Sequence, residues 1–341
     1  MGLQLNSTFY SYQEHSREQR ESLLDTLNRQ GYVVIPDCID PALLAPINAR
    51  VDELYAQQAE LYAEMAKTMP SEEAEQALQN QAFILNLAGC GQEFTSLLTQ
   101  PNLLNMVTSI LGEDCLLSSA SIRDVFDGCE EQLIHTDDSL YAGRDDLFKR
   151  PVAKQLSLVA TVALGDQLAN RGATVIFPDS HLWEEAPDVV EQTEITSESA
   201  AYNERMRNWA KKHKNTEAIE VEMKAGSVVI WLGATWHAGG AYRATHGEPR
   251  RAALLNFCRG IFRQQENQMA GITHEQAAGM PPAAQRLLGY SMSDTALGYS
   301  NGQDPALLLG EGGKALAEDN KKRLAGMRGK EAREQRKGLD P

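Results

Sequence analysis

A chain of 341 residues with a formal net charge of −15 is long enough to bury a substantial core as one large domain or two. Its acidic balance works against phosphate backbones and anionic membrane surfaces, so neither nucleic acid nor a membrane is an expected partner. Five scattered cysteines, odd in number and never in a CxxC spacing, argue against a disulfide framework or a zinc cluster and for a reducing cytosol.

The N-terminus has no apolar signal region, and no run of about 18 apolar residues occurs anywhere. Asn6 stands where a myristoylation motif after Gly2 needs Ser or Thr. A cytoplasmic protein is expected, and the sequence leaves monomer and homodimer open. From Arg17 to Gln30 the leucines 23, 24 and 27 share one helical face, with Gly31 as the stop. YVVIP (Tyr32 to Pro36) reads as a short strand. Asp40-Pro41 then offers an N-cap and a first-turn proline for a long helix to about Met65. The polar run SEEAEQ after Pro70 reads as a connection or exposed helix, and Leu97 to Leu111 as one further helix.

From Cys115 to Phe262 short strands separated by Gly, Asn and Asp predict a sandwich or barrel. LLSSASIRDVF, AKQLSLVATVAL, ATVIF, AIEVEM, GSVVIWL and RAALLNFCRGIF each supply a strand. Residues 184–216 form an acidic, helix-capable insertion too long for an ordinary loop, either a lid or a surface helix. Residues 264–312 read as a packed extension. The charged stretch from Lys314 reads as an exposed, partly frayed helix.

The chemistry lies in QLIHTDD. In an extended segment residues i and i+2 share a face, so His135 and Asp137 can reach one metal ion. His237 in GATWHAGG is the candidate third ligand. Two histidines and one carboxylate with open positions suit a non-heme Fe(II) oxygenase. Seven histidines and 47 acidic residues in 341 positions give roughly one HxD or HxE match by chance, and His246-Gly247-Glu248 is the decoy, read as a solvated turn. What raises His135 and Asp137 is order: the motif, then strands, then His237 behind an apolar strand, then Arg250 and Arg251 opening another. A jelly roll brings such strand ends to one mouth. A guanidinium further along the bore suits the free carboxylate of a dianionic cosubstrate.

On these residues the chain resembles the phytanoyl-CoA dioxygenase (PhyH) family of Fe(II)- and 2-oxoglutarate-dependent oxygenases. The matching pieces are QLIHTDD, NRGATVIFPDSHLW, KAGSVVIWLGATWHAGG and PRRAALLNF, with LNRQGYVVIPDCID as the opening helix and strand. The resemblance implies a mainly β double-stranded β-helix (jelly roll, cupin-like) with flanking helices. That gives one domain over residues 1–312, with a helical part at about 13–112, a catalytic core at about 115–263 and an exposed tail at 313–341. It implies iron ligands His135, Asp137 and His237, and Arg250 on the distal carboxylate of 2-oxoglutarate, with Arg251 as fallback. Gln132 and Thr174 match positions that help hold 2-oxoglutarate, and O2 is the second cosubstrate. His181 in SHLW reads as fold support. Asp179 replaces a usual glycine and Tyr242 a common asparagine, the latter near the pocket.

An intact Asp137 disfavours halogenation, in which a small residue makes room for chloride. The expected reaction is oxidation of an unactivated C–H bond in a small or medium natural product, with release of succinate and CO2. Two alternatives stay open: a cupin-type metal enzyme that does not use 2-oxoglutarate, and a non-catalytic binding protein on the same fold. Desaturation, rearrangement and endoperoxide formation are equally open as outcomes.

Overall fold

The computed structural model describes residues 14–65, 67, 83–142, 151–152, 154–185, 197–245, 247–293 and 296–337. The SEEAEQ run, Gly143-Arg144, residues 186–196 of the insertion and the decoy His246 lie outside them.

Helix α1 (Arg17–Gln30) begins in a capping box, Ser16 with Gln19, and ends at Gly31, whose φ of 79° only glycine adopts readily. Strand β1 (Tyr32–Ile35) follows. In α2 (Pro41–Met65) the first turn is capped as expected, Ala42 N donating to Asp40 Oδ1 at 2.8 Å. The single helix expected over Leu97–Leu111 is two, α3 (Gln92–Leu98) and α4 (Pro101–Leu111). Pro101 lacks an N–H and holds Gln100 at ψ 125°, outside the helical region, so the chain turns and starts again.

The strands after β1 are β2 (Phe83–Ile84), β3 (Leu116–Val125), β4 (Ser157–Ala163), β5 (Thr174–Ile176), β6 (Ile219–Val221), β7 (Val228–Leu232), β8 (His237–Gly239) and β9 (Arg250–Cys258). A six-stranded antiparallel sheet, β1-β7-β4-β9-β3-β2, faces a three-stranded one, β6-β5-β8. An isolated bridge between His135 and His237 adds the QLIH segment to the smaller sheet beside β8. All six strands expected between Cys115 and Phe262 form; β2 and β8 are additions too short to read.

Period-two alternation explains why the large sheet is apolar on both faces. Val228, Ile230 and Leu232 of β7 join Leu158, Leu255 and Phe257 under the helical layer, with Leu27, Ile47, Phe94 and Leu103. Val229 and Trp231 point the other way, toward the small sheet. Each such buried Leu, Ile or Phe contributes about 1.5–3 kcal/mol, so the helices clamp the sheet and its other face is left to line the space between sheets.

The insertion contains α5 (Ser197–Lys214). Its Tyr202, Met206 and Ala210 are buried with Ile134, Phe177, Trp183 and Trp236. The expectation of an exposed tail is corrected at its start. Lys314–Lys337 is a helix, and its Leu316 and Asn320 are fully buried, the Asn320 amide donating to Asp304 Oδ1 at 3.0 Å. No helix of the described residues is long and apolar enough to cross a membrane.

Candidate metal and cosubstrate site

The QLIH segment and β8 place two histidines face to face. His135 N donates to His237 O at 2.9 Å and His237 N to His135 O at 3.0 Å, and the rings lie 4.4 Å apart, centroid to centroid. Each ring is oriented through Nδ1, which donates to a carbonyl two residues earlier: Leu133 O at 2.7 Å for His135 and Thr235 O at 3.0 Å for His237. That leaves both Nε2 atoms as the free lone pairs.

Asp137 completes the set. Its Oδ2 is 3.3 Å from His237 Nε2 and its Oδ1 3.9 Å from His135 Nε2; the three ligand atoms lie within 4.8 Å of one another. Burial pushes His237 down to about 4, against the pull of Asp137, so its imidazole is neutral at neutral pH, the form a metal needs. Two oriented imidazoles and a carboxylate beside a cavity fit a divalent iron with positions left open.

The cavity offers about 100 Å³ of free space. Its walls include Gln132, Thr174 and Arg250 as well as the three candidate ligands. Gln132 is fixed by β8: Gly239 N donates to its Oε1 at 2.9 Å. A Cβ on Gly239 would lie 2.6 Å from that oxygen, so the close approach needs a glycine. Thr174 pairs with the same Gly239 from the other side.

Arg250 is buried, 3% exposed. Its Nη1 donates to Gln167 Oε1 at 2.9 Å, while its Nε has no partner among the described residues. Burial, reinforced by the charge of Arg123, lowers it to about 10, still protonated at neutral pH. A buried guanidinium with an unspent donor calls for an anion from the cavity.

Arg251 is corrected as a fallback. Successive strand residues face opposite ways, and Arg251 turns outward to Asp124 at 3.0 Å and Asp52 at 2.7 Å, its guanidinium over the Tyr55 ring. Tyr242 does not reshape the cavity either: its hydroxyl donates to Glu248 O at 3.3 Å and it is absent from the lining. Asp179 adopts the glycine-like φ of 63°, as its position in the turn requires. His181 is buried, its Nε2 hydrogen-bonded to Asn28 O at 2.9 Å, and its Nδ1 would be 2.5 Å from a Cβ on Gly31. It joins α1 to the small sheet and stands apart from the site.

Sequence reasoning missed four residues. Trp231 donates its indole N–H to Asp137 Oδ2 at 3.0 Å. Gln167 steers Arg250 and is itself held by Arg251 O at 2.9 Å. Thr161, whose hydroxyl is buried without a partner among the described residues, and Arg123 both line the cavity. Strand parity was the available signal, since Trp231 shares a face with Val229 and Arg123 lies opposite to Asp124, but parity shows only relative faces until one residue is known to point inward.

Two antiparallel sheets around a cavity that holds two imidazoles and a carboxylate are the build of a double-stranded β-helix oxygenase. The phytanoyl-CoA dioxygenase (PhyH) family model matches residues 27–252, more than half of the chain, and the chain belongs to that family. It is thereby an iron- and 2-oxoglutarate-dependent dioxygenase by class. "Dioxygenase swnH1" of Metarhizium robertsii is 25% identical over 305 residues, covering 85% of this chain and 88% of the relative. The protein of the same name from Arthroderma benhamiae is 23% identical over 306 residues, 85% and 89% of the two chains. The solved structure of EctD from S. alaskensis with 2-oxoglutarate and 5-hydroxyectoine is 18% identical over 73% of this chain and 79% of that one. Its TM-score is 0.50, a likeness of fold.

Proposed function

We propose that this chain hydroxylates, or otherwise oxidises, an unactivated C–H bond of a small or medium organic molecule of the natural-product type. His135, Asp137 and His237 hold Fe(II), and Arg250 binds the distal carboxylate of 2-oxoglutarate. The observation that carries the reading is one cavity with three converging ligand atoms and a buried, part-unpaired guanidinium on the same lining. A cupin-type enzyme without 2-oxoglutarate has no use for that guanidinium.

Bound iron and 2-oxoglutarate supply the oxidant, with succinate and CO2 as co-products. The chain's own part is positioning. The carbonyls of Leu133 and Thr235 aim the two Nε2 atoms, Trp231 holds the Asp137 carboxylate, and Gln167 sets the guanidinium of Arg250. Gln132 and Thr174 flank the cosubstrate, and the apolar walls Val159 and Leu254 keep water from the reacting centre. The acidic chain argues against a polyanionic coenzyme A ester as substrate.

The test is an anaerobic titration with Fe(II) and then 2-oxoglutarate. A metal-to-cosubstrate visible band, followed by substrate-stimulated succinate in a metabolite screen, is expected. Well-folded protein that gives no band would sink the reading, and an Arg250→Ala variant with undiminished turnover would favour the cupin alternative.

A further inference from the structure

The cavity contains a second cation that the roles assigned above do not use. Arg123 sits on β3 opposite Ala252 of β9 and lines the same cavity as Arg250. Among the described residues no carboxylate is paired with it. Its neighbour Asp124 points to the other face, where Arg251 takes it, and the partner Arg123 does have is the Phe83 ring, 5.2 Å from its Cζ. A cation–π contact leaves the donor edge of a guanidinium open.

Its location is fixed by β8. A Cβ on Gly239 would lie 3.2 Å from Arg123 Nη1 and 2.6 Å from Gln132 Oε1. The guanidinium, the Gln132 amide and the β8 backbone therefore form one layer, two residues along the strand from His237. Arg250 belongs to a different layer, beside Gln167 and opposite Val125 of β3, one further inward-facing position from the metal side than Ala252. Gln132 Oε1 is engaged by Gly239, which turns the NH2 end of that amide into the donor.

Two guanidiniums that line one buried cavity repel each other; each Arg–carboxylate fork offsets part of that repulsion. A 2-oxo dicarboxylate offers one carboxylate to each layer. We propose that Arg123 is a cosubstrate-binding residue: with Gln132 it takes the carboxylate next to the keto group, the end that meets the metal, while Arg250 takes the far one. The proposal rests on the functional reading above.

The test uses two 2-oxo acids, 2-oxoglutarate and 2-oxobutyrate, which lacks the distal carboxylate. Each is titrated anaerobically by calorimetry into Fe(II)-loaded wild type, Arg123→Gln, Arg123→Lys and Arg250→Gln, with metal stoichiometry and melting temperature as folding controls. Arg250→Gln is expected to lose about tenfold to a hundredfold in affinity for 2-oxoglutarate and little for 2-oxobutyrate. Arg123→Gln is expected to lose a similar factor for both acids. Arg123→Lys, which keeps the charge and loses the fork, is expected to lose a smaller factor for both, and it carries the test if Arg123→Gln does not fold. Weakened binding of 2-oxoglutarate alone would place Arg123 on the distal carboxylate and overturn the proposal. Unchanged binding of both acids overturns it too, while wild-type binding leaves the functional reading standing. A wild type that binds neither acid overturns both.

Discussion

At the scale of single residues, the Trp231 indole is the protein's direct hold on the Asp137 carboxylate. Groups that orient a metal ligand typically carry 10–100-fold in affinity. Trp231→Phe keeps an aromatic ring in the wall and removes the donor, so Fe(II) affinity is expected to fall by about that factor with the melting temperature nearly unchanged; equilibrium competition against a chelator measures it. The outcome against the assignment is unaltered metal affinity. Reading the site from sequence stopped at this kind of residue. His135, Asp137, His237 and Arg250 have chemistry that declares itself, an imidazole or charge at a strand end. Trp231, Thr161 and Gln167 have ordinary side chains whose importance comes from where the barrel turns them. Arg250 and Arg251 show the same limit, because two identical neighbours are separated only by which face of β9 is inside.

At the scale of elements, α5, the described helix of the insertion read as a lid or a surface helix, packs on the QLIH segment. Asn203 lies along the free side of the QLIH segment and replaces a neighbouring strand: its Oδ1 accepts from Ile134 N at 2.9 Å and its Nδ2 donates to Gln132 O at 2.9 Å. Tyr202 adds a bond to Ile134 O at 3.3 Å, and Arg207 pairs with Glu131. An amide thus satisfies the edge that an unpaired strand would expose. Asn203→Ala leaves a buried N–H and C=O unsatisfied at a cost of about 1–3 kcal/mol each. The expected result is a lower melting temperature together with weaker Fe(II) binding, read by thermal denaturation and metal titration. Loss of stability with full metal affinity would show that α5 supports the fold alone. The longer strands and the opening helices were legible because hydrophobic alternation and capping chemistry are local. The three-residue β8 was not, since its pairing with β5 and with the QLIH segment is made by residues distant in sequence.

For the whole molecule, ligands that bind only the folded chain shift its unfolding equilibrium. Free Fe(II) at a hundred times its dissociation constant should add about 2.7 kcal/mol, visible as a higher melting temperature that a chelator reverses. A melting temperature indifferent to Fe(II) would count against a preformed site. The large sheet gives this coupling a particular form. Its edge strand β1 pairs with β7 near the far end of the catalytic core, and in that register Tyr32 lies opposite Trp231, the residue that holds Asp137. Contacts so remote in sequence close late and slowly. A nascent chain that has emerged only as far as QLIHTDD has neither His237 nor Trp231 to offer, so iron loading waits at least for the synthesis of β8. Retained iron therefore counts molecules in which the QLIH segment has already met β8.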